Sequence, residues 1–283
     1  SLAKEDGLEP DEGLLGSVEP DKKYFLLELD RLEESWRRDK LLHDVKQAYA
    51  DVACKMAIGQ PNGDGEPTSS GKEELEYLIG LDEIKEVIGQ FVSANKAKTV
   101  FAEHGREAGS MAMHMAFSGN PGTAKTTVAR ILARILKEEG VLKKGHLVEV
   151  GRADLIARYV GHTAPMVRSA FRRAKGGVLC IDEAYSLVDD RRGLFGDEAI
   201  NTIVQEMENM RDEVVVIFAG YPEEMDEFIS RNPGLRSRIS HHVKFPNYNA
   251  AELVLIAQKI AKEKVFILST GARGALADGF RGI

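Results

Sequence analysis

The chain has 283 residues, 43% of them hydrophobic, and a formal charge of -7, enough apolar material for the core of one large domain or two ordinary ones. The acidic balance speaks against a surface built to wrap nucleic acid, although charge alone leaves a basic pore open. No apolar run approaches the roughly 20 residues that cross a bilayer, and the acidic opening "SLAKEDGLEP" has neither the basic nor the apolar region of a secretory leader, so a cytoplasmic protein is expected.

In chain order, the first part has no initiator Met, and the native start is expected upstream. From Tyr24 to about Ile58 apolar residues such as Phe25, Leu29, Leu32 and Trp36 recur at helical spacing. Residues 1–58 therefore read as an N-terminal segment of one long helix or two, packed on the main domain. "GQPNGDGEPTSSG" at 59–71 is rich in Gly, Pro, Ser and acid, and a linker is drawn over 59–73. Over 74–248 helical and strand patterns alternate, which predicts an α/β domain: a central parallel five-stranded sheet flanked by helices. The strands are "MHMAF" (113–117), "HLVEV" (146–150), "GVLCI" (177–181), "VVVIFAG" (214–220) and "HHVKF" (241–245). From Asn249 to residue 283 the pattern is helical again, as if a smaller domain begins and the chain stops inside it. Cys54 and Cys180 lie in different segments with no second Cys or His placed for a metal, so both are expected reduced and buried.

The chemistry starts where the first strand runs into "GNPGTAKT", residues 119–126, and then into the amphipathic "TTVARILARILKEE". A strand, a Gly-rich loop ending in Lys-Thr and a helix form a phosphate cradle: successive backbone N–H groups face inward and the helix N-terminus adds its positive end. Gly119 and Gly122 let the backbone curl, with Asn120, Pro121, Thr123 and Thr127 completing the loop. Lys125 is expected on the β and γ phosphates and the Thr126 hydroxyl on Mg²⁺. The pattern asks for Gly before the Lys, and this chain has Ala124. If that position is left-handed, Ala costs roughly 1 to 2 kcal/mol relative to Gly; if it is helical, the methyl costs little. A working site with a tightened loop is expected in both cases.

"GVLCIDEAYSL" ends its strand in Asp182 and Glu183, two carboxylates at the edge of the sheet where α/β folds bind ligands. Paired with the loop upstream, Asp182 is expected to hold Mg²⁺ through water and Glu183 to polarise the attacking water. The chemistry predicted is phosphoryl transfer from ATP to water.

Several blocks, among them "ELEYLIGLDEIKEVI", "GNPGTAKTTVARILA", "KGHLVEVGRADLIARYVGHTAPMVRSAFRRAKGGVLCIDEAYSLV" and "NPGLRSRISHHVKFPNY", together resemble the CbxX/CfxQ branch of the AAA+ ATPases. The branch includes a sporulation protein and the red-type Rubisco activases. The likeness spans about residues 74–268. It implies a nucleotide-binding core at 74–248, a helical lid domain starting at 249, and a ring, six subunits being expected, that threads a polypeptide through its pore. Ile79 and Gly80, within Leu78–Leu81, would line the adenine. Arg238, with Arg236 close behind, would be the arginine finger that completes a neighbour's ATP site. Tyr159, Val160 and Gly161 would form the pore loop, where a flat amphipathic ring can press on many side chains.

The chain departs from the AAA+ pattern at Gly220 and Tyr221, where many such proteins carry a polar sensor beside the water. Arg273 and Arg281 lie in the direction of the lid arginine but outside its expected motif. Three other readings stay open: Rubisco activation proper, a nucleic-acid motor served by arginines such as Arg152 and Arg158, and a nucleotide-gated scaffold with little turnover.

Overall fold

The computed structural model describes residues 70–104, 113–157, 159, 161–188, 194–263 and 268–280. The N-terminal helical segment, Cys54, Val160 and Arg281 lie outside the described residues. Helix α1 (Gly71–Tyr77) begins inside the stretch read as linker, because Ser70 and Glu73 form a reciprocal cap. The Ser70 hydroxyl accepts from the Glu73 N–H at 3.2 Å, and the Glu73 carboxylate accepts from the Ser70 N–H at 3.1 Å. Two hydrogen bonds that satisfy orphan amides outweigh a loop-like composition.

After α2 (Asp82–Glu103), strand β1 (His114–Gly119) leads into α3 (Lys125–Glu138). There follow β2 (Leu147–Val150), α4 (Arg152–Leu155), α5 (Thr163–Ala174), β3 (Val178–Ile181), a 3₁₀ turn (Ala184–Leu187) and α6 (Leu194–Asn209). The described chain continues through β4 (Val215–Gly220), α7 (Pro222–Arg231), α8 (Pro233–Arg236), β5 (Ile239–Phe245), α9 (Ala250–Glu263) and α10 (Thr270–Phe280). The five strands form one parallel sheet in the order β2-β3-β4-β1-β5, as expected from the alternating patterns. β5 starts two residues before the expected His241, because Ile239 pairs with His114 at the foot of β1.

Alternation along the strands divides the core in two. Met115, Phe117, Cys180, Ile217 and Ala219 face the layer of α2, α3, α9 and α10. Ala116, Leu179, Ile181, Val216 and Phe218 face α5, α6 and α7. Both faces of a parallel sheet are covered, which is why its strands read as continuous apolar runs. α3 packs through Val128, Ile131, Leu132, Ile135 and Leu136, all essentially buried, so the loop preceding it is anchored to a rigid element. Among the described residues no helix is long and apolar enough to cross a membrane.

Candidate nucleotide site

β1 ends at Gly119, where a Cβ would lie 2.7 Å from Cβ of Phe245 on β5 and 3.0 Å from Oγ1 of Thr123. No side chain fits there. The buried Thr123 donates its hydroxyl to the Asn120 carbonyl at 2.7 Å, pinning the turn, and Gly122 takes φ 73. Ala124, just before α3, has φ 68 and ψ 21, a left-handed residue in a position suited to Gly. No side chain caps the N-terminus of the 14-residue α3, so its first N–H groups remain available to an anion. The Lys125 ammonium arches back over the loop and donates to the carbonyls of Gly119 at 2.7 Å and Asn120 at 2.9 Å. Burial lowers its pKa, and the Asp182 carboxylate works in the opposite direction.

The carboxylates come from β3. The Asp182 N–H donates to the Val150 carbonyl at 2.9 Å, extending the ladder one residue past the strand, and its Oδ1 accepts from the Glu183 N–H at 3.0 Å. Glu183 then turns left-handed, at φ 48 and ψ 46, which leaves its side chain exposed. Glu149 of β2, opposite Cys180 in register, has its carboxyl pKa raised by burial and then by Asp182, with Arg130 of α3 opposing. Two residues beyond Glu183, burial and then the Glu183 charge push the Tyr185 phenol up to about 12, so it remains protonated and can donate. Cys180 lies buried under this group, its thiol pushed up chiefly by burial.

The third side is the segment before α2. Gly80 takes φ 64, and a Cβ on it would meet Oε1 of Glu252 on α9 at 2.5 Å. The half-buried Ile79 packs against the core that holds α3. Asn120 donates its amide to Oδ1 of Asn247 at 3.0 Å, and Lys259 lies 3.0 Å over the Tyr77 ring while donating to the Tyr77 carbonyl. The stretch from Asn247 through α9 is therefore tied both to the loop and to the residues around the segment expected at the base. The non-glycine residues with positive φ among those described are Leu81, Ala124 and Glu183, one in each of the three segments. Strained backbone gathers where function requires a fixed geometry.

The AAA family, "ATPase family associated with various cellular activities", matches residues 115–247, from β1 to just past β5. Stage V sporulation protein K of Bacillus subtilis is 44% identical over 207 residues, 73% of this chain and 64% of that protein. Protein CbxX (chromosomal) of Cupriavidus necator is 44% identical over 216 residues, 74% of this chain and 68% of that protein. The chain belongs to the CbxX/CfxQ branch of the AAA ATPases. It spans about two thirds of the length of these relatives. A chain of the Escherichia coli MS115-1 HORMA:CdnC:Trip13 complex has a similar fold, with TM-score 0.52 at 15% identity, covering 77% of this chain and 78% of that one.

Against the AAA expectation, the fold gathers Ile79, Gly80, the loop 119–127, Asp182 and Glu183 around one end of the sheet, and keeps the two arginines apart from them. Arg236 and Arg238 precede Ile239, which pairs with His114, whereas Phe245 pairs with Gly119. One strand length of roughly 20 Å, at about 3.3 Å per residue, separates them from the chain's own loop. Arg238 is held within the chain: it meets Glu208 at 3.2 Å and donates to the Gly234 carbonyl at 3.1 Å. Arg236 is exposed at the end of α8. Tyr159 is 73% exposed, with its ring 6.3 Å from that of His162, over an open groove of about 490 Å³ floored by Ile156, Pro165 and Met166. Gly161 takes φ 82. Arg273 is exposed on α10.

The residues fit a nucleotide with its metal. Uncapped helix amides, a lysine already bridging loop carbonyls and a glycine that admits no Cβ form a cradle for phosphate. Among the described residues no group of three or more His, Cys, Asp or Glu could hold a metal ion. Thr126, at the start of α3, and Asp182, just past β3, offer oxygen donors of the kind that would complete the shell of a Mg²⁺ carried by phosphates. Sequence reasoning missed Glu149, Tyr185, Asn247 and Glu252. Only Glu252 left a local signal: it caps Asn249 reciprocally, at 2.7 and 3.0 Å, in an N-x-x-E pattern at the start of α9.

Proposed function

We propose that the chain is the ATP-hydrolysing subunit of a ring, hexameric in our reading, which pulls on a polypeptide client through its pore. The observation that carries the reading is the juxtaposition of the Lys125 loop with the Asp182–Glu183 strand tip at one end of the sheet, where the Asp182 carboxylate acts on the Lys125 ammonium. The α3 amides and Lys125 would bind the β and γ phosphates; Thr126 and Asp182 would hold Mg²⁺. When bound, Mg²⁺ neutralises charge on those phosphates. Glu183, exposed beyond the strand, would orient the attacking water and take its proton. Ile79 and Gly80 would bind the base.

A ring is supported by the distance of the arginines from the chain's own site, since a finger at the far edge can reach only a neighbour's nucleotide. The geometry favours Arg236 for that role, because Arg238 already has Glu208 and the Gly234 carbonyl as partners. The exposed Tyr159 supports a pore loop made with Val160 and Gly161.

Steady-state ATP hydrolysis with Mg²⁺, measured against protein concentration for the wild type and Glu183→Gln, tests the reading. Specific activity that climbs with concentration and collapses in the variant, which still binds ATP, is expected. Activity independent of concentration would remove the trans-acting finger. ATP binding without turnover at any concentration would favour the nucleotide-gated scaffold, which the left-handed Ala124 supports.

A further inference from the structure

Gly220 ends β4 in register with Ser118, one residue before the phosphate loop begins, so whatever stands over it faces the nucleotide end of the sheet. A Cβ at this position would lie 2.9 Å from Cδ1 of Tyr185 and 2.8 Å from the sulfur of Met225. The Tyr185 ring thus fills the space that a side chain at 220 would need. It is also fixed from several sides. The turn that carries it, Ala184–Leu187, starts from the left-handed Glu183, closes with the Ser186 N–H on the Glu183 carbonyl at 2.8 Å, and accepts Arg152 at the Ser186 carbonyl. The Tyr221 ring leans on it with centroids 5.9 Å apart.

We propose that Tyr185 is a nucleotide-contacting residue that supplies, from the 3₁₀ turn, the polar group that Gly220 lacks, its hydroxyl making the contact that distinguishes a nucleoside triphosphate from a diphosphate. This rests on the reading of the loop and strand tip as an ATP site. Gly220 and Tyr185 form a matched pair: the bare strand tip admits the ring, and the ring belongs to the second residue after the carboxylate assigned to the water. The protonated phenol in the field of Glu183 is consistent with that role. A donor placed on the γ-phosphate side strengthens triphosphate binding and leaves diphosphate binding alone.

The test uses the full chain in the Glu183→Gln background, where turnover does not interfere, with ATP and ADP affinities read by displacement of a fluorescent nucleotide. Adding Tyr185→Phe keeps the ring over Gly220 and removes only the hydroxyl. ATP affinity is expected to fall about tenfold, with ADP affinity within about twofold and the melting temperature unchanged. Gly220→Ala, which pushes the ring aside, is expected to lower the ATP-to-ADP preference in the same direction. An unchanged preference in Tyr185→Phe overturns the proposal, and so does a loss seen only in Gly220→Ala, which would assign the effect to shape. If the Glu183→Gln protein bound neither nucleotide, the ATP-site reading itself would fall and take this one with it. An unchanged preference beside intact binding would leave the ATP-site reading standing.

Discussion

Ala124 decides whether the phosphate loop is impaired or merely altered. Its left-handed backbone costs roughly 1 to 2 kcal/mol relative to Gly. Its methyl, however, is buried in the core shared with α3, and a buried methyl group contributes about 0.8 kcal/mol. The methyl offsets much of that strain and leaves a net cost of at most about 1 kcal/mol. Ala124→Gly is therefore expected to change folding stability by less than about 1 kcal/mol in urea titrations, with ATP affinity rising by no more than about tenfold. A larger gain in affinity would mean that the methyl obstructs the loop. Leu81 and Glu183 carry the same kind of strain at the other two sides of the site, without the option that Gly would offer.

At the scale of elements, the question is how a seven-residue helix at the edge of the described chain stays docked. α1 is too short to be stable alone and is held by α3. Arg134 of α3 meets Glu74 of α1 at 2.6 Å with both side chains nearly buried, and the Gly71 N–H donates to the Glu138 carboxylate at 3.0 Å. Glu139 adds a further clamp: hydrogen bonds from Lys72 and then Lys96 hold its carboxyl down to about 2, joining α1 and α2 to the end of α3. Removing one partner of a nearly buried pair leaves the other charge uncompensated, at about 3 kcal/mol or more. Losing an exposed cap costs about 1 kcal/mol. Thermal melts should therefore rank Glu74→Ala well below Ser70→Ala. Equal losses would show that capping, rather than the buried pair, docks the helix. The helix leads directly into Leu78–Leu81, so its docking also positions the segment assigned to the adenine.

For the whole molecule, His114 reports on how the sheet is closed at the end remote from the nucleotide. Its Nδ1 accepts from the Val216 N–H at 3.1 Å and its Nε2 faces the Met207 carbonyl at 3.4 Å, joining β1, β4 and the end of α6. Burial, reinforced by Arg238 and partly offset by the Met207 carbonyl and Glu208, lowers its pKa from 6.5 to about 4. The unfolded chain therefore binds a proton between pH 6.5 and about 4 that the folded one refuses. Stability is full above pH 6.5 and falls as pH drops toward 4, by about 3 kcal/mol in all. Urea midpoints at pH 7 and pH 5 should show this fall in the wild type and a shallower one in His114→Gln. The same slope in both proteins would assign the acid sensitivity to other groups.

The parallel sheet was legible because strands covered on both faces must be apolar throughout, and "VVVIFAG" or "GVLCI" can hardly be anything else. The phosphate loop and the Asp-Glu strand tip were legible for a similar reason: their chemistry needs particular residues at short, fixed spacing, which a chain cannot hide. What lay beyond reach were contacts between residues far apart in sequence. Asn120 with Asn247, Gly80 under Glu252, Tyr185 over Gly220 and Arg238 against Glu208 have no spacing rule, because each depends on where whole elements come to rest. The backbone angle of Ala124 belongs with them, since a single methyl is compatible with either hand until the strand before it and the helix after it are both in place. By itself the sequence determined the parallel sheet and the short motifs at its loop and strand tip; packing of the layers alone decided what surrounds them, because that packing is a collective minimum rather than a local preference.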